Sequence, residues 1–201
     1  MTTRAVRERY GVRAAEYTEL LGSVGDSAEQ DRDLIGRWAD TIDGRIIDAG
    51  CGPGHWTEFL HGRGLEVLGI DLVPEFVDIA VSRFPEVDYR VGELGSLPTE
   101  DASLGGLLSW YSVIHTEPEA VPAILDEFAR CLRAGGTLLL GFFDGARLEP
   151  FDHAVVTAYH WPVREMSHAL RASGFEIVET HARHDPGSRP YGAILARRSA
   201  V

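Results

Sequence analysis

Cysteine is scarce in this chain of 201 residues: Cys51 and Cys131 are the only two, eighty positions apart. Two thiols so placed build no disulfide framework, and a reduced, cytoplasmic setting is the simpler expectation. Basic residues are also short, 19 Lys plus Arg against 31 Asp plus Glu, for a formal charge of −12. Nucleic-acid binding needs clustered Lys and Arg to displace counterions, so no nucleic acid is expected as a partner. The same deficit disfavours an anionic membrane surface. No apolar run approaches the roughly 20 residues that span a bilayer. The N-terminal MTTRAVRERYGVRAAEY carries charge throughout and lacks the apolar stretch of a secretory signal. No H-E-x-x-H occurs, and His181 with His184 has no cysteine or acid at ligand spacing, so no metal is expected. The absence of G-x-S-x-G removes the usual hydrolase elbow.

What is present is enough apolar material for a core. Hydrophobic residues make up 44% of the chain and charged ones 25%, with no periodic Gly or Pro, which excludes disordered and collagen-like classes. One globular domain over residues 1–201 is the expectation. It divides into an N-terminal helical cap segment (1–40), a core (45–143) and a C-terminal part (144–201).

Between Arg45 and Phe143 short apolar runs alternate with amphipathic ones. RIID (Arg45–Asp48), EVLGID (Glu66–Asp71), DYRV (Asp88–Val91), LGGLLSW (Leu104–Trp110) and TLLLGFF (Thr137–Phe143) have strand length. Helical spacing is read in WTEFLHGRG, in the stretch after Pro74, and over Val121–Leu132, whose apolar residues recur at i, i+3, i+4, i+7 and i+11. Strands alternating with such helices predict right-handed βαβ units and a doubly wound parallel sheet with helices on both faces. After Phe143 the pattern is a helix (Pro162–Ser173) and two strands, Phe175–Ala182 and Tyr191–Arg198. HDPGSRP between them has no room for a helix, so these two are antiparallel neighbours.

The sharpest local signal is Asp48-Ala-Gly50-Cys-Gly52-Pro-Gly54-His55 at the first strand–helix junction. Glycines there let backbone turn tightly and approach a ligand without a Cβ in the way. The dinucleotide fingerprint G-x-G-x-x-G would require glycine where His55 stands, and no Gly-Lys-Ser/Thr follows as in a P-loop. A nicotinamide-dependent oxidoreductase is disfavoured accordingly.

IIDAGCGPGHW resembles the first motif of class I S-adenosylmethionine (SAM)-dependent methyltransferases. GID (Gly69–Asp71) resembles their second motif, VGELGSLP (Val91–Pro98) the third-strand motif, and LRAGGTLLLGFF (Leu132–Phe143) the helix–glycine–fifth-strand motif. The terminal hairpin matches the seven-stranded, Rossmann-like sheet of that family. The resemblance covers about three quarters of the chain. It departs at Leu104-Gly105-Gly106, where an aromatic–Asp pair commonly opens the fourth strand.

The resemblance implies SAM as cofactor, with S-adenosylhomocysteine as product. Gly50, Gly52 and Gly54 would follow the amino-acid and ribose portion, and Asp48 would orient the ammonium end or the loop itself. Asp71, 19 residues beyond Gly52, is placed to accept the ribose hydroxyls. Glu93 with the Leu94 backbone would read the adenine edge, and Leu72 would pack on its ring. Trp56 and Trp110 would wall the sulfonium, a cation–π contact worth about 0.5–2 kcal/mol. Trp56 reads equally well as core; for Asp71 a strand-end turn residue is the lesser alternative.

An acceptor would sit beyond the carboxyl ends of the strands, among Trp110–Pro118, 144–161 and the segment around Tyr10 and Tyr17. His115 is the candidate general base, because imidazole titrates near neutrality; a structural loop histidine is the other role open to it. Tyr111 is a second catalytic candidate, and Asp144, His153, Tyr159, His160 and Trp161 are further candidates for lining the pocket. Arg4, Arg7, Arg9 and Arg13 read as a solvated helix face, with contact from one of them to an acidic acceptor as the lesser alternative. The expectation is methyl transfer to an oxygen or nitrogen of a small-molecule acceptor. The alternative is the same fold turned into a natural-product cyclase or a non-catalytic SAM-binding module. Nothing in the sequence specifies an oligomeric state.

Overall fold

A computed structural model describes residues 3–185 and 187–200. Two helices come first, α1 (Thr3–Leu21) and α2 (Glu29–Ala39). The alternating section follows as β1 (Ile46–Ala49), α3 (His55–His61), β2 (Val67–Asp71), α4 (Pro74–Arg83), β3 (Asp88–Val91), β4 (Leu104–Trp110), α5 (Val121–Cys131) and β5 (Leu132–Phe143). The C-terminal part holds β6 (Glu149–Phe151), β7 (Ala158–His160), α6 (Val163–Ala172), β8 (Phe175–Arg183) and β9 (Tyr191–Arg198).

Seven strands form one sheet in the order β3-β2-β1-β4-β5-β9-β8. The first five are parallel; β9 runs antiparallel to β5, and β8 antiparallel to β9. This is the doubly wound α/β sheet expected from the alternation. The strand-pattern reading did not include β6 and β7, a separate antiparallel ribbon pairing Glu149 with His160 and Phe151 with Ala158. Its strands are three residues each, too short to show a period.

Alternation along the strands feeds two cores. Ile47, Leu107, Leu138, Leu140 and Ile194 point to one face, where Leu125 and Phe128 of α5 and Met166 and Leu170 of α6 cover them. Ile46, Leu108 and Leu139 point to the other, against Leu34, Ile35 and Trp38 of α2 and Trp56 and Leu60 of α3. Trp38 also donates its indole N–H to Thr137 Oγ1 at 2.9 Å.

The departure at Leu104-Gly105-Gly106 has a packing cause. A Cβ on Gly105 would lie 1.9 Å from the Asp43 carbonyl oxygen, and one on Gly106 would lie 3.1 Å from Trp38 and Ile42. The segment linking α2 to β1 lies directly on this strand, so two residues without side chains stand there. The ladder to β5 shifts register at the same place, where Leu104 pairs with Leu132, and this draws the start of β5 back from Thr137 to Leu132. No described helix is long and apolar enough to cross a membrane.

Candidate active site

The order reverses between β1 and β4, where neighbouring strands lead to helices on opposite faces. Ligand crevices of doubly wound sheets open at such a point. Here a cleft of about 1360 Å³ lies over the carboxyl ends of the strands, roofed in part by α1. Asp48, Gly50, Gly52, Trp56, Asp71, Leu72, Glu93, Leu94, Trp110, Tyr111 and His115 all line it. Of the cofactor-binding and catalytic candidates, Gly54 alone does not.

The three glycines turn out to serve different ends, and all have positive φ. Gly50 (φ 86°) carries Ser112 so close that an added Cβ would sit 2.2 Å from Ser112 Cβ. Gly52 (φ 53°) has nothing within 4 Å of that point, so its missing side chain leaves open space in the cleft. Gly54 (φ 85°) starts α3 and lies against Ala80 and the Tyr89 hydroxyl, both 2.8 Å from an added Cβ. Its need for glycine comes from packing under the loop.

The acids hold the loop. Asp71 Oδ2 accepts the Gly52 backbone N–H and Oδ1 accepts that of Val73, each at 2.8 Å. Asp48 Oδ2 accepts the Thr57 hydroxyl at 2.7 Å. Burial raises Asp48 to about 7, opposed by the Thr57 hydrogen bond, and raises Asp71 to about 6, opposed by its backbone hydrogen bonds. Two carboxyls at the floor of one cleft, both costly to ionise, prefer a cation near them. Glu93 is exposed at the rim, with Leu94 beside it. Trp56 is buried in the core, meets Trp110 edge-on at 6.5 Å and lines the cleft with it. Cys51 lies in the loop with burial holding its thiol well above the usual range, which suits packing and not nucleophilic work.

His55 also lines the cleft, although in the sequence it only broke a fingerprint. Its Nδ1 is buried without a hydrogen-bond partner, and burial with the nearby Arg83 lowers it to about 4.

On the acceptor side, His115 is buried and donates from Nδ1 to the Thr157 carbonyl at 2.9 Å. A carbonyl only accepts, so Nδ1 carries the proton and Nε2 is the basic nitrogen. Nε2 faces the Tyr10 hydroxyl of α1 at 2.7 Å. Burial lowers the His115 pKa, which keeps the ring neutral. Tyr111 has φ 58°, a left-handed conformation costly for an aromatic residue, and packs between Trp110 and Phe143. Burial pushes its phenol up.

The remaining candidates separate. His153 lines the cleft with its ring 5.1 Å from that of His115. Asp144 instead accepts the Val163 N–H at the start of α6 and, through its carbonyl, the ring of His160. His160 stacks on Phe151 at 4.2 Å, and Trp161 is buried in the core. Tyr159 packs against the core from β7. Arg13 departs from the solvated-face reading: beyond pairing with Glu16, it donates to the Ala154 carbonyl at 2.6 Å and lines the cleft. The sequence reading puts the segment around Tyr10 and Tyr17 at the same crevice as 110–118 and 144–161; the particular bonds from α1 to His115 and residue 154, which join positions more than a hundred apart, come from the fold. Among the described residues no group of three or more His, Cys, Asp or Glu is placed to hold a metal ion.

A parallel sheet with a glycine loop, two buried acids at successive strand ends and a cleft at the switch point is the architecture of a nucleoside-cofactor-binding α/β protein. Residues 46–136 match the family model described as a methyltransferase domain. The chain is 28% identical over 145 residues to the malonyl-[acyl-carrier protein] O-methyltransferase of Serratia marcescens, covering 70% of this chain and 56% of the relative. Among solved structures, the [4+2]-cyclase SpnF superposes with a TM-score of 0.86 at 18% identity, covering 100% of this chain and 98% of that one. The 1,6-didemethyltoxoflavin-N1-methyltransferase of Burkholderia thailandensis gives 0.78 at 19% identity, covering 100% and 92%. These structural likenesses establish the fold. The chain spans little more than half the length of the first curated relatives it matches, 56% and 53%. The core is therefore similar to the methyltransferase-domain family, and the relatives it matches include S-adenosylmethionine-dependent methyltransferases.

Proposed function

We propose that the protein binds SAM in this cleft and transfers its methyl group to an oxygen or nitrogen of a small-molecule acceptor. The observation that carries the reading is the convergence of a glycine loop, Asp48, Asp71 and a neutral, correctly protonated His115 on one cavity. The residues fit the cofactor. The open space over Gly52 admits a ligand against the loop, and the two carboxyls suit a sulfonium and an ammonium. The second lone pairs of Asp71 remain for hydroxyls. Glu93 and Leu94 at the rim suit the adenine end, while His115, Tyr111 and His153 lie on the acceptor side. SAM supplies an electrophilic methyl; the chain aligns the acceptor, since in-line displacement depends mostly on positioning.

A cyclase built on this fold would favour an apolar reaction chamber. A polar cluster of His115, Tyr10 and His153 supports transfer instead. The size of the cavity and the acidic surface support a small acceptor over a polyanion. Absence of SAM binding to cofactor-stripped protein by calorimetry overturns the reading.

The same calorimetry yields a signed expectation. Cationic SAM binds the ionised forms of Asp48 and Asp71 better, so it lowers both pKa values. Binding therefore tightens as pH rises through about 6 to 7 and releases protons there. Binding heats compared in buffers of different ionisation enthalpy report the release. Proton uptake, or affinity flat from pH 5 to 8, contradicts the assignment of these carboxyls.

A further inference from the structure

His115 cannot reach an acceptor directly as it stands. A neutral imidazole has one lone pair, on Nε2 here, and the Tyr10 hydroxyl takes it. Moving Tyr10 aside would disturb α1, because its ring packs on Tyr17, Phe76 and His115 at centroid distances of 5.8, 5.9 and 5.4 Å. One turn further along, Arg13 fixes the same helix to the Ala154 carbonyl. Tyr10 nevertheless lines the cleft, and its oxygen keeps a lone pair after donating to Nε2.

We infer that Tyr10 and His115 form a proton relay for a hydroxyl-bearing aromatic acceptor, with Tyr10 as the residue that meets the acceptor. This rests on the methyltransferase reading. The acceptor O–H proton moves to Tyr10 Oη as the Tyr10 proton moves to His115 Nε2. The acceptor oxygen uses its freed electron pair to bond the methyl carbon, and the pair of the broken C–S bond stays on sulfur. Charge balances: a sulfonium becomes a thioether while the imidazole becomes an imidazolium, whose Nδ1–H stays on the Thr157 carbonyl. Two aromatic pairs line the cleft, Tyr17 with Phe76 and Tyr111 with Phe143, and offer a flat ring edge and face contacts.

The groups facing the pair are few in kind. From α1 come Tyr17 and Arg13, and from residues 152–157 comes His153. Glu117 follows in the loop of His115, and Asp71 bears on Tyr10 from the end of β2. Burial holds His153 down to about 4, so it adds no cation near neutrality.

The probe is p-nitrophenol added to the protein saturated with S-adenosylhomocysteine, at a pH where the free phenol is protonated. The bound probe should show its phenolate band in the wild type, and that band should fall at least tenfold in Tyr10→Phe and in His115→Gln. Tyr10→Phe keeps the ring that packs on Tyr17 and Phe76, so the fold is retained. Nitrogen NMR of the imidazole should place the His115 proton on Nδ1 and show its pKa rising in Tyr10→Phe, because the lost donor favoured the neutral ring. No saturable binding of the phenol, an unchanged band in the variants, or a proton on Nε2 overturns the relay. If S-adenosylhomocysteine itself does not bind, the methyltransferase reading falls and the relay with it. If it binds and the band is unmoved, the relay alone falls.

Discussion

Replacing Gly50 with Ala should cripple the fold, whereas replacing Gly52 with Ala should spare the fold and cripple binding. At Gly50 the backbone is left-handed and the new Cβ would press into Ser112 Cβ at 2.2 Å, with neither partner a flexible side-chain end. The left-handed cost of about 1–3 kcal/mol adds to an overpacking cost of about 1–3 kcal/mol. For a chain of this size each kcal/mol lowers the melting midpoint by about 2–4 °C, so a fall of about 10 °C is expected by calorimetry. At Gly52 the backbone strain remains, but nothing lies within 4 Å of the added Cβ, so stability should drop by only about 1 kcal/mol. That methyl projects where the cofactor would lie. SAM affinity should fall by at least about tenfold, equivalent to 1.4 kcal/mol. Equal melting losses in the two variants, or full binding by Gly52→Ala, would contradict the division of labour in the loop.

Asp71→Asn should cost more affinity than its near-identical shape implies. Both Asp71 oxygens accept backbone N–H groups, from Gly52 and Val73. An amide has only one oxygen, so its NH₂ must face one of those donors, leaving buried groups unpaired at about 1–3 kcal/mol. The change also removes a negative charge from the floor of a cleft that binds a cation. Together these predict SAM binding weaker by about 100-fold, with the protein still folded. The rise in affinity centred near pH 6 should disappear, and the one from Asp48 should remain but move below pH 7, because the Asp71 charge that helps raise the Asp48 pKa is gone. An affinity within threefold of the wild type would mean that Asp71 holds neither loop nor ligand in the way described.

The parallel core was readable because its signals are local: apolar runs of strand length, glycines at a strand end, an acid at the next. The positions of Asp48, Asp71, Trp110 and His115 follow from those runs alone. What sequence reading missed depends on contacts between distant segments. Gly54 looks like its two neighbours in the loop, yet Tyr89 of β3 and Ala80 of α4 dictate it. Gly105 and Gly106 look like a family departure, yet the carbonyl of Asp43 blocks a Cβ at Gly105, and Trp38 and Ile42 crowd one at Gly106. The segment around Tyr10 is legible as a wall of the crevice, but the bond between its hydroxyl and His115, 105 positions away, is set only by how α1 packs over the cleft. The β6–β7 ribbon was hidden by its length.

The place of β9 between β5 and β8 bears on how the protein is made. On the ribosome, β5 emerges with one edge satisfied by β4, and its partner on the other edge is synthesised only after β6, β7, α6 and β8. Through that interval Leu138, Leu139, Leu140 and Phe142, fully buried in the finished sheet, belong to an open strand edge. Such an edge pairs readily with other chains. The nascent chain is therefore exposed to aggregation until β9 emerges, and slow or interrupted translation between β5 and β9 should raise insoluble product and its dependence on chaperones.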